Sequence, residues 1–304
     1  MTTSMSTGSG TAARVSPSSR FVLLFAVSLM AGWHALFNTL ALALRNDEYT
    51  HLLLILPISV SLIFFDRELL KPATEPAMGL GSFFLVIAIL IGGFSGVAAP
   101  VDMQLSFSML AIVIWWIGSF ILCFGTLVAR LFLFPLGFLF WLVPIPPLLL
   151  ERIVAFWQHG SAISASLLFS ALGIPNTQDG VFVSIPGLNL EVAQECSSVR
   201  SSLMLIVTSM VLAQLFLRSF WRKAVLDLAA IPLSIAKNGV RIFTISMLGT
   251  RVDPAFLQGN LHRHGGIVFF LLALGAVVLL LWLLNRSEKP VHTGSLKPVA
   301  VQKL

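Results

Sequence analysis

The run ECSSVRSSLMLIVTSMVLAQLFL, residues 195–217, decides how this chain is read. From Ser201 to Leu217 it carries no charged side chain. It approaches the roughly 20 residues that a helix needs to cross the hydrocarbon core of a bilayer. The thiol of Cys196 stands at its mouth, with Arg200 one helical turn further on.

Comparable apolar runs recur along the chain, at about 21–44, 52–65, 78–98, 106–128, 131–150, 197–217, 224–248 and 265–284. The second is short. The fifth closes on Val143-Pro144-Ile145-Pro146-Pro147 and must kink or stop there, because proline removes a helical donor and clashes with the preceding turn. Hydrophobic residues make up 57% of 304 positions and charged residues 11%, with a mean hydropathy of +0.93. A soluble domain carries roughly 25% charged residues, so this chain lacks the groups to face water on all sides. The expected fold is an all-α polytopic membrane protein of about eight transmembrane helices. Trp115, Trp116, Trp141, Trp157, Trp221 and Trp282 read as aromatic-belt residues near span ends.

The net charge of +6 does not point to nucleic acid, because its cations are scattered singly between apolar runs. With the N-terminus inside and eight crossings, the inner segments hold Arg14, Arg20, Arg67, Lys71, Arg130, Arg218, Arg222, Lys223, Arg286, Lys289, Lys297 and Lys303. That is twelve of the nineteen Lys and Arg residues. The excess predicts cytoplasmic termini and sets the mouths of the 197–217 and 265–284 runs on the outer side. Residues 1–20 read as a disordered cytoplasmic tail, 21–285 as the membrane domain and 286–304 as a second cytoplasmic tail. The first run is too long for a signal-peptide core and is expected to stay as a span. Within the outer segment 151–195, Glu151 to about Leu172 predicts an amphipathic or interfacial helix. Val181–Ile185 and Leu188–Val192 predict a β-hairpin around Pro186-Gly187. Helix and hairpin together would form a small extracytoplasmic cap leading to Cys196.

Three polar sites at span ends carry the candidate chemistry. A cysteine needs help to ionise near neutral pH. At the start of a span the helix dipole favours negative charge, and Arg200 lies on the same helical face. His262, in His262-Arg263-His264-Gly265-Gly266, is available as base or ion-pair partner. Glu191 and Glu195 oppose ionisation unless cations neutralise them. Arg241, in Asn238-Gly239-Val240-Arg241, stands inside its span, where an isolated charge is costly. Asn238 lies three residues earlier on the same face and can hold it. An arginine at that depth can stabilise an oxyanion or grip a carboxylate. Plainer readings stay open: Cys196, like Cys123, as a packing thiol, Arg241 as a structural charge paired with Glu195 or Asp253, and His262 and His264 as loop histidines. Two cysteines make no disulfide framework, and no Cys/His spacing suits zinc, so neither metal nor cofactor is expected.

From about residue 48 to 285 the chain resembles the exosortase/archaeosortase family of membrane transpeptidases. Glu191–Leu203 resembles the family's V-A-x-x-C-S-G-[IL]-R-S segment, and Asn238-Gly239-Val240-Arg241-Ile242 its N-x-x-R motif. His262 with Gly266 and Phe269-Phe270 is similar to H-x-x-x-G. Tyr49-Thr50-His51 is similar to Y-S-H-G, and Phe134-Pro135 with Pro144-Ile145-Pro146 to F-P...P-x-P. Ser198 and Leu52 stand where the family usually has glycine. The resemblance implies an inner-membrane cysteine peptidase or transpeptidase facing the periplasm, free of cofactor. Its partners would be the bilayer and exported proteins with a tripartite C-terminal sorting signal: a Pro-Glu-Pro motif, an apolar helix and a basic cluster. Carried over, Cys196 would be the nucleophile and form a thioacyl enzyme. Arg241 would hold the oxyanion or orient the peptide, and His262 would be the acid/base. Asn238, Arg200, Glu195, His51 and His264 would support the site or bind substrate. His264 competes with His262, and the spacing to Gly266 favours His262. Two other classes compete. A transporter would line a path with Arg241 and Lys237, and a structural subunit of a polysaccharide-export complex would need none of the three groups.

Overall fold

The computed structural model describes residues 16–70, 76–192, 199–258 and 266–288. Among these, Asp47–Phe65, Met78–Val97, Gln104–Leu131, Val199–Phe216, Phe220–Arg251 and Gly266–Arg286 are long and apolar enough to cross a membrane. Two bent pairs, Pro17–Ala31 with Trp33–Arg45 and Leu133–Leu142 with Pro147–Ala171, pass the same test together. That gives six spans, or up to eight if each pair is one span. Each expected run falls on one of these elements, so the chain is an all-α polytopic membrane protein with a small sheet. It divides into two compact units that meet at Arg152/Ile153.

In the first unit, the expected first span falls on helices α1 (Pro17–Ala31) and α2 (Trp33–Arg45), which bend by 73° at Gly32. A Cβ on Gly32 would come within 2.5 Å of Ile112 Cδ1, so the bend lets a long neighbour press against the backbone. That neighbour is α5 (Gln104–Leu131), which packs against α4 (Met78–Val97) through small residues. A Cβ on Gly81 would lie 2.6 Å from Leu122 Cα, and one on Gly118 would lie 2.8 Å from Phe84 Cβ. Close backbone approach of this kind drives helix pairing where lipid supplies no hydrophobic force. Trp115 and Trp116 do not form a belt. Trp115 Nε1 donates to Leu24 O at 2.9 Å and Trp116 Nε1 to Ser28 Oγ at 2.7 Å, tying α5 to α1. Helix α3 (Leu52–Phe65) follows a short 3-10 turn, Asp47–Tyr49, and packs on α6 (Leu133–Phe138) and the 3-10 turn Leu139–Leu142.

The fifth run breaks at its prolines, as expected, and its helix continues beyond residue 150. Val143 is extended before Pro144, as a pre-proline residue prefers. Helix then restarts with proline as its first residue in α7 (Pro147–Ala171), 96° away. Residues Glu151 to about Leu172, expected as an interfacial helix, instead continue a 25-residue helix that packs along the membrane-crossing helix of residues 220–251.

The second unit contains the rest of α7, strands β1 (Thr177–Asp179), β2 (Phe182–Ile185) and β3 (Leu188–Glu191), and helices α8 (Val199–Phe216), α9 (Phe220–Arg251), α10 (Ala255–Gln258) and α11 (Gly266–Arg286). The expected hairpin is present, paired Ile185↔Leu188. Pro186 cannot take positive φ, and Gly187 at φ +84° supplies it at the second turn position. A third strand, not foreseen, adds β1 antiparallel to β2 through a turn with Gly180 at φ +59°. Val183 and Ile185 alternate with exposed Phe182 and pack on Ala162, Ala165 and Phe169 of α7, with Ile242, Phe243 and Met247 of α9 beside them.

Helices α8 and α9 run antiparallel. Lys223 Nζ donates to Gln214 Oε1 at 2.6 Å near their connection, and Lys237 reaches Ser201 further along. Helix α11 returns alongside. Leu226, Ala273, Val277 and Leu281 share a core with Leu205 and Ala213. At its end, Glu288 Oε1 accepts from the backbone N–H groups of Ser219 and Arg218, each at 3.1 Å, and meets Arg222 Nη1 at 3.2 Å.

Those backbone donors, Ser219 first, hold the Glu288 carboxyl below its ordinary range, with Arg222 adding to the effect. A folded-state pKa below the unfolded value makes this clasp stabilising above the unfolded value, and the contribution fades as pH falls through the folded value. The protection of the Arg218 and Ser219 amides, taken relative to their intrinsic exchange rate at each pH, is expected to fall at acidic pH, and Glu288→Gln to remove that pH dependence. Identical exchange profiles in the two proteins would show that the clasp is not held by this charge.

Candidate active site

Helix α9 presents Ser234, Lys237, Asn238 and Arg241 at spacings of three and four, which places them in one stripe. Asn238 is fully buried, and its Nδ2 donates to Ser161 Oγ of α7 at 2.8 Å. One turn earlier, Trp157 Nε1 donates to Ser234 Oγ at 2.9 Å. Phe169 and Phe243 meet with ring centres 5.0 Å apart. These pairs follow one register, so α7 and α9 run parallel. Their backbones approach closely because two positions lack side chains. A Cβ on Gly160 would sit 3.1 Å from Ile235 Cδ1, and one on Gly239 would sit 2.5 Å from Ser164 Cβ and in collision with Ser164 Oγ. Trp157 is therefore a buried tie between helices and not a belt residue.

The stripe's cations are arranged differently from one another. Lys237 is 7% exposed and donates a short hydrogen bond to Ser201 Oγ in the first described turns of α8. Arg241 is half-buried, one turn further along α9. A charged side chain near the middle of a span costs about 3 kcal/mol on membrane-insertion scales, so two in succession mark a polar site within the helix bundle. Arg200 lies on α8 with its side chain exposed.

Helix lengths set the levels of these elements. Arg241 lies about 30 Å along α9 from Phe220, and Gly266 lies about 30 Å along α11 from Arg286, at 1.5 Å per residue. The Phe220 end of α9 and the Arg286 end of α11 are held together by the Glu288 clasp. The start of α11 therefore stands near the level of Arg241, and the Lys237–Ser201 bond puts the first described turns of α8 there too. Cys196, Glu195, His262 and His264 lie outside the described residues. The first pair directly precedes α8 and the second pair directly precedes α11.

His51 belongs to the first unit. It is 1% exposed, its Nδ1 faces Glu48 O at 3.1 Å, and its ring meets Trp141 edge-on at 6.2 Å. A carbonyl partner makes Nδ1 the donor. The neighbouring Tyr49 OH donates to Ile145 O at 2.9 Å, in the proline-rich break before α7. These contacts give His51 and Tyr49 a structural task at the mouth of α3.

From the sequence alone, Lys237 reads only as a charge that could line a transport path. Its burial against Ser201 is a tertiary fact. The signal available was its position in Lys237-Asn238-Gly239-Val240-Arg241, one turn before the arginine.

A family model described as transmembrane exosortase (Exosortase_EpsH) matches residues 43–279. No curated protein and no solved structure gives a significant match.

Proposed function

The chain belongs to the transmembrane exosortase family, and we propose that it is a membrane-embedded cysteine peptidase or transpeptidase. In this reading it cuts the C-terminal sorting signal of exported proteins. The supporting observation is that α8 and α11, which follow Cys196 and His262 directly, both begin near the level of Arg241 on α9. The family match takes in all three residues.

The proposed chemistry uses one group from each element. The Cys196 thiolate adds to the scissile carbonyl carbon, forming a C–S bond and placing negative charge on the carbonyl oxygen. The Arg241 guanidinium, fixed through the α9 stripe that Asn238 anchors to Ser161, donates to that oxyanion. The C–N bond then breaks, and His262 gives its proton to the leaving amine. The thioacyl enzyme reacts with an amine or water whose proton returns to His262, and the thiolate is regenerated. The substrate is an exported protein whose anchor stays in the lipid while its cleavage site is outside. The Lys and Arg distribution supports a matching orientation, with termini in the cytoplasm and the site at the periplasmic face of the inner membrane.

The reading is tested by replacing Cys196 with alanine and following an exported, tail-anchored protein. Accumulation of uncut precursor is expected, and normal processing would refute it. The orientation has a separate test. A membrane-impermeant maleimide is expected to label Cys196 in intact, outer-membrane-permeabilised cells and to spare Cys123, which is 3% exposed inside α5. Labelling of Cys196 only after the inner membrane is opened would reverse the proposed topology.

A further inference from the structure

On both sides of Cys196 the chain is tied to one frame, the meshed helices α7 and α9. Upstream, Val192 is the last described residue before the thiol, four positions short of it. Its N–H donates to Val181 O at 3.0 Å. Its side chain, 1% exposed, lies in the apolar cluster with Ala162, Ala165 and Phe169 of α7. Its carbonyl accepts from Gln158 Nε2 of α7 at 3.0 Å. Downstream, Ser201 stands five positions after Cys196 and accepts from Lys237 of α9.

Gln158 does more than close the end of a strand. It stands between Trp157, which donates to Ser234 of α9, and Ser161, which accepts from Asn238 of α9. Ser161 is three residues on and shares a helical face with Gln158. One turn of α7 therefore holds both the chain that enters the Cys196 segment and the stripe of α9 that carries Arg241. A nucleophile and an oxyanion donor on separate elements must be matched to within about 0.5 Å. Resting on the peptidase reading, we propose that Gln158 is a positioning residue, which sets Cys196 in register with Arg241 by holding the Val192 carbonyl. Its neutral amide supplies the donor without bringing a charge into half-buried ground.

The experiment uses the full-length protein in lipid nanodiscs as wild type, Gln158→Met and Gln104→Met. Methionine keeps the length of glutamine and removes its N–H donor. Gln104 is the control, since its Nε2 donates to Ala99 O at 3.4 Å in the first unit. Cleavage of a sorting-signal tail peptide is followed over a range of peptide concentrations. Gln158→Met is expected to lower kcat about 100-fold and to leave KM within about 2-fold of wild type. Gln104→Met should change neither. A loss carried by KM alone overturns the proposal, and so does an unchanged kcat or an equal loss in Gln104→Met.

A second measurement needs no turnover and separates this inference from the peptidase reading. In a Cys123→Ala background, a nitroxide is attached to Cys196 and its EPR line shape reports the mobility of the segment. The wild-type label is expected to be immobilised, and Gln158→Met to narrow its lines while Gln104→Met leaves them unchanged. Gln158→Ala gives a second reading of both measurements where the Met variant fails to insert. If the wild type cuts no tail peptide but label mobility follows Gln158, the peptidase reading fails and the hold on the Cys196 segment stands. A label already mobile in the wild type, or unmoved by loss of the Gln158 amide, removes the inference whatever the cleavage result.

Discussion

Cys196→Ala is expected to lower sorting-signal cleavage by on the order of 10⁴-fold, leaving the exported protein at full length in the inner membrane. In the proposed chemistry, losing the Cys196 thiolate removes the covalent route altogether, and the remaining groups can only polarise a carbonyl that nothing attacks. The same proposal makes Arg241 and His262 act as one unit with the thiolate, so combining their substitutions with Cys196→Ala should add little. Precursor and product can be separated by gel mobility, or by mass spectrometry of the released C-terminus. The effect also discriminates between functional classes. A solute transporter would tolerate alanine at Cys196 while depending on Arg241 and Lys237, and a scaffold subunit would tolerate substitution at all three. Wild-type rates of processing in Cys196→Ala cells would end the peptidase reading.

Gly239→Ala should be the most damaging single methyl group in the second unit. The added Cβ would lie 2.5 Å from Ser164 Cβ and 3.0 Å from the Ser164 carbonyl carbon, in addition to its collision with the hydroxyl. A hydroxyl can rotate away, but a Cβ and a carbonyl carbon belong to the body of α7. The two helices must therefore separate. Overpacking of this kind costs about 3 kcal/mol, and the separation would stretch the Asn238–Ser161 hydrogen bond, now 2.8 Å. It would also displace Arg241, two residues beyond Gly239. A shift near 1 Å at a positioned catalytic group lowers turnover about 100-fold. Thermal unfolding of the purified protein and precursor cleavage should fall together. Adding Ser164→Gly removes the Cβ and hydroxyl from the opposing helix and should restore part of both, giving a coupling energy in a double-mutant cycle. Full stability in Gly239→Ala alone would mean that α7 and α9 are not in close contact at this point.

The membrane class was legible because an uncharged run of some 20 residues has few other stable solutions. The hairpin was legible because Pro186-Gly187 confines positive φ to one position. Its third strand was not, since Thr177-Gln178-Asp179 has neither apolar alternation nor β-branched density. The break before α7 was readable in its prolines. The bend at Gly32 was not, because an isolated glycine in an apolar run reads the same whether or not a neighbour presses on it. Trp115, Trp116 and Trp157 were misassigned for a related reason. An indole near a span end suits the lipid interface, but it equally suits a buried donor to a serine or carbonyl on the next helix.

For the site, the motif order named Cys196, Arg241 and His262, and the charge asymmetry gave all three the same expected face. Both are one-dimensional properties, written in residue type and position along the chain. The stripe that carries Arg241 and the tie from Asn238 to Ser161 depend on how α7 and α9 mesh. So does the depth at which Lys237 meets Ser201 depend on the register of α8 against α9. Meshing and register come from steric fit between separate helices, a glycine facing a serine and a ring facing a ring. No run of residues on one helix encodes that fit without its partner.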